Sequence, residues 1–125
     1  MPKLVARIPG IEPGRLPFSP VVEANGFVFL AGQVGAPPGG EVVPGGIGSE
    51  VRQVLDNVGA LLRAVGLDYD DVVRCTVFLV DMNDFAAMNE VYREYFPTDP
   101  PVRATVGVSA LAGQYKVEID VTAAR

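Results

Sequence analysis

Histidine is absent from the 125-residue chain, cysteine occurs once, and basic residues are outnumbered, ten Lys and Arg against fifteen Asp and Glu. Without histidine there is no imidazole base and no usual transition-metal ligand set, so no metal is expected. The lone Cys75 excludes an intrachain disulfide, and its place inside an apolar strand reads as a small core residue rather than a nucleophile. A formal charge of −5 leaves no basic surface of the size that phosphate backbones require, so nucleic acid is not an expected partner. Long apolar runs are missing at the start as well. MPKLVARIPGIEPG breaks at Pro9 and Pro13, which reads as neither signal peptide nor membrane span and makes cytoplasm the expected compartment. The stretch from Gly35 to Gly48, GAPPGGEVVPGGIG, lacks the Lys-Ser/Thr of a P-loop, and no GxGxxG follows a strand. It is read as a flexible lip, not a phosphate cradle.

What is present suffices for one domain over residues 1–125, since 49% of the chain is apolar. Lys3 to Ile8 reads as a short strand and Pro9 to Pro17 as a connection. Phe18 to Glu23 and Phe27 to Ala31 flank Asn25-Gly26, a hairpin signal because both residues tolerate positive φ. From Ser49 to Val65 the apolar residues fall at helical spacing, with Ser49 as N-cap and Gly66 as the stop. Asp71 to Val80 is nearly continuous apolar sequence, the pattern of a mid-sheet strand covered on both faces. A second helix is expected from about Asp84 to Tyr95, capped by Asn83 or Asp81 and ended by PTDPP. Two short strands close the chain.

The resulting order predicts an α+β sandwich, a mainly antiparallel sheet with two helices on one face. Two helices cover only one face, yet Val72, Phe78 and Val80 oppose Val73, Val77 and Leu79 along one strand. A homo-oligomer meeting through the second face is therefore expected.

The closing strands carry the chemistry. In PPVRATVGVSA, Arg103 and Thr105 alternate with Val102, Ala104 and Val106; in YKVEIDVTA, Glu118 and Asp120 alternate with Val117, Ile119 and Val121. A guanidinium is a rigid fork of donors that keeps its proton, suited to gripping a carboxylate through two parallel bonds. The same spacing also fits a structural ion pair between Arg103 and Glu118 at a sheet edge. On the second helix Asn89 falls close to the stripe of Phe85, Met88, Tyr92 and Phe96, where a polar amide needs partners, from backbone or from a ligand.

AGQVG at 31 to 35, VRQVLDNVGALLRAVGL, VVRCTVFLVDMNDF, NEVYREYF, PPVRATVGV and YKVEIDVTA together resemble the RidA/YjgF family of reactive-intermediate deaminases along nearly the whole chain. The resemblance implies a chorismate-mutase-like fold, a homotrimer with pockets between subunits, and hydrolysis of enamines or imines of the 2-aminoacrylate type to 2-oxo acid and ammonia. No cofactor is implied. Arg103 matches the arginine that holds the substrate carboxylate, Glu118 the glutamate associated with the attacking water, Asn89 the pocket asparagine, and Gly32 the glycine whose amide faces the ligand. The chain departs from the family pattern at Phe18, where tyrosine is common, at Ala31, where serine is common, and at Thr105, where some members have cysteine. A ribonuclease, the other activity attached to parts of the family, is disfavoured by the acidic charge and the missing histidine. A pocket that captures small carboxylates as a regulatory module, without chemistry, is the alternative function.

Overall fold

Asn25 and Gly26 close a hairpin in the way their composition demands, both at positive φ, 52° and 80°. They join β2 (Val21–Ala24) to β3 (Phe27–Val34) in the computed structural model, which describes residues 2–125. β1 (Leu4–Val5), α1 (Ile47–Ala64), β4 (Val72–Leu79), α2 (Phe85–Tyr95), β5 (Val102–Gly107) and β6 (Val117–Ala124) complete the chain. The strands form one sheet in the order β1-β2-β3-β6-β4-β5.

Every neighbouring pair is antiparallel except β4 and β5. Connectivity explains the exception, because α2 is the crossover between those two strands and parallel neighbours need one. β3 and β4 are likewise mutually parallel, each lying antiparallel to β6 between them, and α1 is their crossover. Both crossovers step the same way along the sheet. Right-handed connection then places both helices on the same face. There Val54, Leu55, Val58 and Leu62 of α1 and Met88 of α2 pack, fully buried, on Val28, Val77, Leu79, Val117 and Ile119 of the sheet.

Local details differ from the sequence expectation, each for a physical reason. α1 starts at Ile47 with Gly46 (φ 83°) as N-cap and no side-chain cap, so Ser49 lies inside the first turn. Gly45 and Gly46, both at positive φ, let the chain turn into the helix three residues before the expected cap. The strand expected from Phe18 begins only at Val21, the one expected over Lys3 to Ile8 is confined to Leu4–Val5, and β3 runs on to Val34. A register shift between Val72 and Arg74 inserts one residue into β4, which reverses its parity. Val72 therefore sits in the core beside Val77 and Leu79, while Val73 is 41% exposed.

The Gly35 to Gly48 stretch is anchored rather than free at its base. The Asn57 amide donates to the carbonyls of Ala36 (2.8 Å) and Val34 (3.3 Å), and the Val43 amide donates to Gly35 O (2.8 Å). Buried Glu50 packs on Gly35 and accepts a bond from the Lys116 amide (2.8 Å) at the approach to β6.

The second face of the sheet has no cover among the described residues, leaving it open as the two-helix arrangement expected from the sequence requires. Phe27 and Phe29 of β3 are 46% and 45% exposed there, and Val102 and Val106 of β5 are 65% and 41% exposed. Paired residues on neighbouring strands share a face, so Phe78 belongs with Val106 and Glu118 on this open side.

Candidate active site

Arg103 lies on the edge strand β5 opposite Cys75, which is opposite Val121, and both of those are buried toward the helices. The polar side of β5 thus turns to the helix layer, and its valines turn outward. Beneath α2 the guanidinium carbon sits 4.7 Å from the centre of the Tyr92 ring and 5.8 Å from that of Phe85, with Nη1 3.9 Å from Met88 Sδ. Stacking on aromatic faces fixes the plane of a guanidinium and leaves its edge donors unspent. Among the described residues Arg103 forms no salt bridge; the ion pairs are Arg52–Glu94, Arg63–Asp68 and Arg125–Glu23.

A cleft of about 360 Å³ opens beside it, within the size range of small-molecule sites. Asn89, Tyr92, Arg93 and Phe96 form one wall, the prolines at 97, 100 and 101 another, and Arg103 the floor. The prolines explain the opening: PTDPP cannot continue α2, so the chain leaves the helix before it covers the edge strand. Thr105, on the same side of β5, has a buried hydroxyl with no hydrogen-bond partner among the described residues, as does Tyr92. Cys75, on the neighbouring strand β4, lies beside the Tyr92 hydroxyl, and burial pushes its thiol pKa up to about 11. A thiol held protonated is a packing residue, as its apolar surroundings imply.

Glu118 is on the opposite face of the sheet. It pairs with Phe78 on one side and Val34 on the other, and its carboxylate rests on Gly32, where an added Cβ would overlap Oε2 and lie 3.0 Å from Cδ. The seat is made by a β-bulge: between Leu30 and Gln33, Ala31 and Gly32 together face the single Asp120 of β6. Bulges recur where a strand re-aims a functional group. Partial burial raises the carboxyl pKa of Glu118, and the neighbouring Asp120 charge raises it further.

The residues singled out from sequence therefore fall into two groups. Arg103, Asn89 and Thr105 share the cleft side of the molecule, whereas Glu118, Gly32 and Ala31 share the bulge on the other face. Phe18 goes with the second group. It lies two residues before Pro20, whose carbonyl accepts from the Ala31 amide (2.9 Å), and it lines a shallow groove of about 160 Å³ in the N-terminal segment. An Arg103–Glu118 ion pair within one chain is excluded, because a β-sheet separates the two. Sequence reasoning missed Glu50 and Asn57. Their signal was available: the two buried polar side chains of α1 stand seven residues apart, two turns along one edge of its apolar stripe.

Relatives share both the sequence and this architecture. A family model described as endoribonuclease L-PSP matches residues 12–125. The 2-iminobutanoate/2-iminopropanoate deaminase of Mus musculus is 44% identical over 108 residues, covering 86% of this chain and 80% of that protein. Among solved structures, a Rid-family protein of Yersinia pestis superposes with a TM-score of 0.89 at 34% identity, covering 99% of this chain and 100% of that one. E. coli TdcF with bound serine superposes with a TM-score of 0.83 at 36% identity, covering 95% and 94%. Sheet order, bulge and arginine-bearing edge strand thus sit in a sequence continuous with these proteins, and the chain belongs to the endoribonuclease L-PSP family, the RidA/YjgF proteins.

Proposed function

We propose that the protein is a cytoplasmic homotrimeric deaminase that hydrolyses 2-imino acids and their enamine tautomers to 2-oxo acids and ammonia. The observation that carries this reading is the unpaired, ring-stacked guanidinium of Arg103 beside an open cleft. A fork whose donors meet no oxygen acceptor among the described residues, only the weak acceptor Met88 Sδ at 3.9 Å, suits a carboxylate at a small-molecule cavity, and the serine bound to TdcF carries such a group.

The reaction needs little more than placement. An enamine takes up a proton at carbon to become an imine, whose carbon is already electrophilic. Water oxygen bonds to the carbon of the protonated imine as one water proton passes to Glu118; Glu118 returns that proton to the carbinolamine nitrogen, and the C–N bond breaks as the hydroxyl oxygen forms the carbonyl, its proton leaving with the ammonia as ammonium. Glu118 performs both transfers in this scheme, and its raised pKa brings it nearer the pH at which a carboxyl group can both accept and return a proton. Holding substrate and water together supplies the remaining advantage. An electrophilic imine carbon requires no added cofactor.

Assembly follows from the division of the site. Arg103 and Glu118 of one protomer face opposite ways, so a working pocket joins Arg103 of one copy to Glu118 of the next across the uncovered, apolar sheet face. Sedimentation at micromolar concentration is expected to give the trimer mass, and monomer alone would contradict it. The activity is tested by Arg103→Ala with 2-iminopropanoate generated in situ and ammonia as the readout. Loss of at least about 100-fold in kcat/KM is expected from removing the charged bidentate grip. Wild-type turnover in the variant, or ammonia released no faster with protein than without, would overturn the reading; the second result with saturable binding would identify a carboxylate-binding module instead.

A further inference from the structure

The cleft beside Arg103 holds a second cation that a monocarboxylate leaves unused. Arg93 stands one helical turn after Asn89 on α2, so both reach the same wall of the cleft. It is exposed and forms no salt bridge among the described residues. In a chain with five more acidic than basic residues, no Asp or Glu lines this cleft. The neighbouring acid on α2 is diverted: Glu94 reaches across to α1 and binds Arg52 at 3.1 Å. Asp99 lies in the proline-rich loop and Glu90 is exposed on α2, and neither lines the cavity.

We propose that Arg93 receives the distal carboxylate of a dicarboxylic 2-imino acid of four or five carbons while Arg103 holds the carboxylate next to the imine. The substrate class of the site is then the imines of acidic amino acids, with smaller monocarboxylic imines as weaker substrates. This rests on the reading of Arg103 as the carboxylate grip. The bond changes are unaltered: water oxygen joins the imine carbon, the C–N bond breaks, ammonia leaves, and neither carboxylate is consumed. A cavity of about 360 Å³ has room for the longer acid. Arg93 also lies in the last turn of α2, where a cation complements the helix dipole. That role alone gives no preference between ligands.

The experiment is calorimetric titration of the full-length protein with two stable 2-oxo acids, 2-oxoglutarate and 2-oxobutanoate, followed by the ratio of kcat/KM for the corresponding imines. Wild type is expected to bind 2-oxoglutarate about tenfold more tightly, the yield of one added charge-assisted contact. Arg93→Gln should bring that ratio to about one, and Arg93→Lys should keep most of it. Equal affinity in wild type, or an Arg93→Gln variant that weakens both acids alike, would overturn the proposal while leaving the Arg103 reading intact. Binding of neither acid by wild type would overturn both.

Discussion

Replacing Gly32 by alanine tests whether the seat of the Glu118 carboxylate matters to chemistry. Gly32 is not among the residues with positive φ, so alanine can adopt its backbone conformation without strain. The added methyl would overlap Glu118 Oε2 and lie 3.0 Å from Cδ and 3.2 Å from Cγ, so the carboxylate must swing away. Forcing such a side chain off its rotamer costs about 0.5–1.5 kcal/mol, and restricting the unfolded chain at a former glycine returns about 0.4–1 kcal/mol. The net change in stability should be within about 1 kcal/mol. Turnover should respond differently. A general base is worth roughly 100-fold or more, about 2.7 kcal/mol of barrier, and a displaced Glu118 forfeits it. Gly35→Ala supplies the contrast. Its methyl would press on Cγ (2.6 Å), Cβ (2.7 Å) and the backbone Cα (3.0 Å) of buried Glu50, an overpacking that costs about 1–3 kcal/mol. The assay pairs thermal unfolding with ammonia release from 2-iminopropanoate. Gly32→Ala is expected to keep its Tm and lose kcat, and the double variant with Glu118→Gln to lose nothing more, since both remove one function. Retention of kcat within about threefold in Gly32→Ala, at unchanged Tm, would refute the role given to Glu118.

The raised pKa of Glu118 has a consequence for stability as well. Between its ordinary value and its folded value the native state binds more protons than the unfolded chain, so its contribution is complete at low pH and is lost as pH rises through the folded pKa. The Tm of Glu118→Gln relative to wild type should therefore climb as the pH rises above the ordinary carboxyl value of 4.5, which scanning calorimetry in a pH series would show. Tyr92→Phe removes a buried hydroxyl that has no partner among the described residues. Its unfolding free energy in urea should equal or exceed that of wild type by up to about 1 kcal/mol, whereas a loss of that size would reveal a bond to the hydroxyl.

Much of the fold was legible because local patterns and topology agree. The Asn25-Gly26 turn, the α1 stripe from Val51 to Val65 and the apolar β4 run each specify an element without tertiary help. Crossover chirality then fixes the side on which the helices lie. What escaped was set by single residues whose effect is geometric. One inserted residue at Val73 reverses the facing of the start of β4, and period-two reading cannot see it. Gly45 and Gly46 start α1 before the serine that looks like its cap. The identities of Arg103 and Glu118 stood out as isolated charges in apolar strands, but their separation did not. It depends on β6 inserting between β3 and β4, so that residues fifteen apart in consecutive runs end on strands that are not neighbours and on faces that look away from each other.

Under the proposed function, that separation makes assembly and activity one property, and mixing variant chains tests it. If each pocket takes Arg103 from one protomer and Glu118 from another, Arg103→Ala and Glu118→Gln chains carry complementary lesions. In trimers mixed at random from equal amounts, the donor of the arginine and the donor of the glutamate are independent choices, each intact half the time. About a quarter of the pockets would then be whole. Co-expressed variants, with mixed trimers verified by native mass spectrometry, should recover roughly a quarter of wild-type kcat from parents that are each nearly inactive. A site contained within single chains gives no recovery at any mixing ratio. Mixed trimers no more active than the average of their parents would therefore contradict a pocket shared between protomers, whatever the two residues do individually.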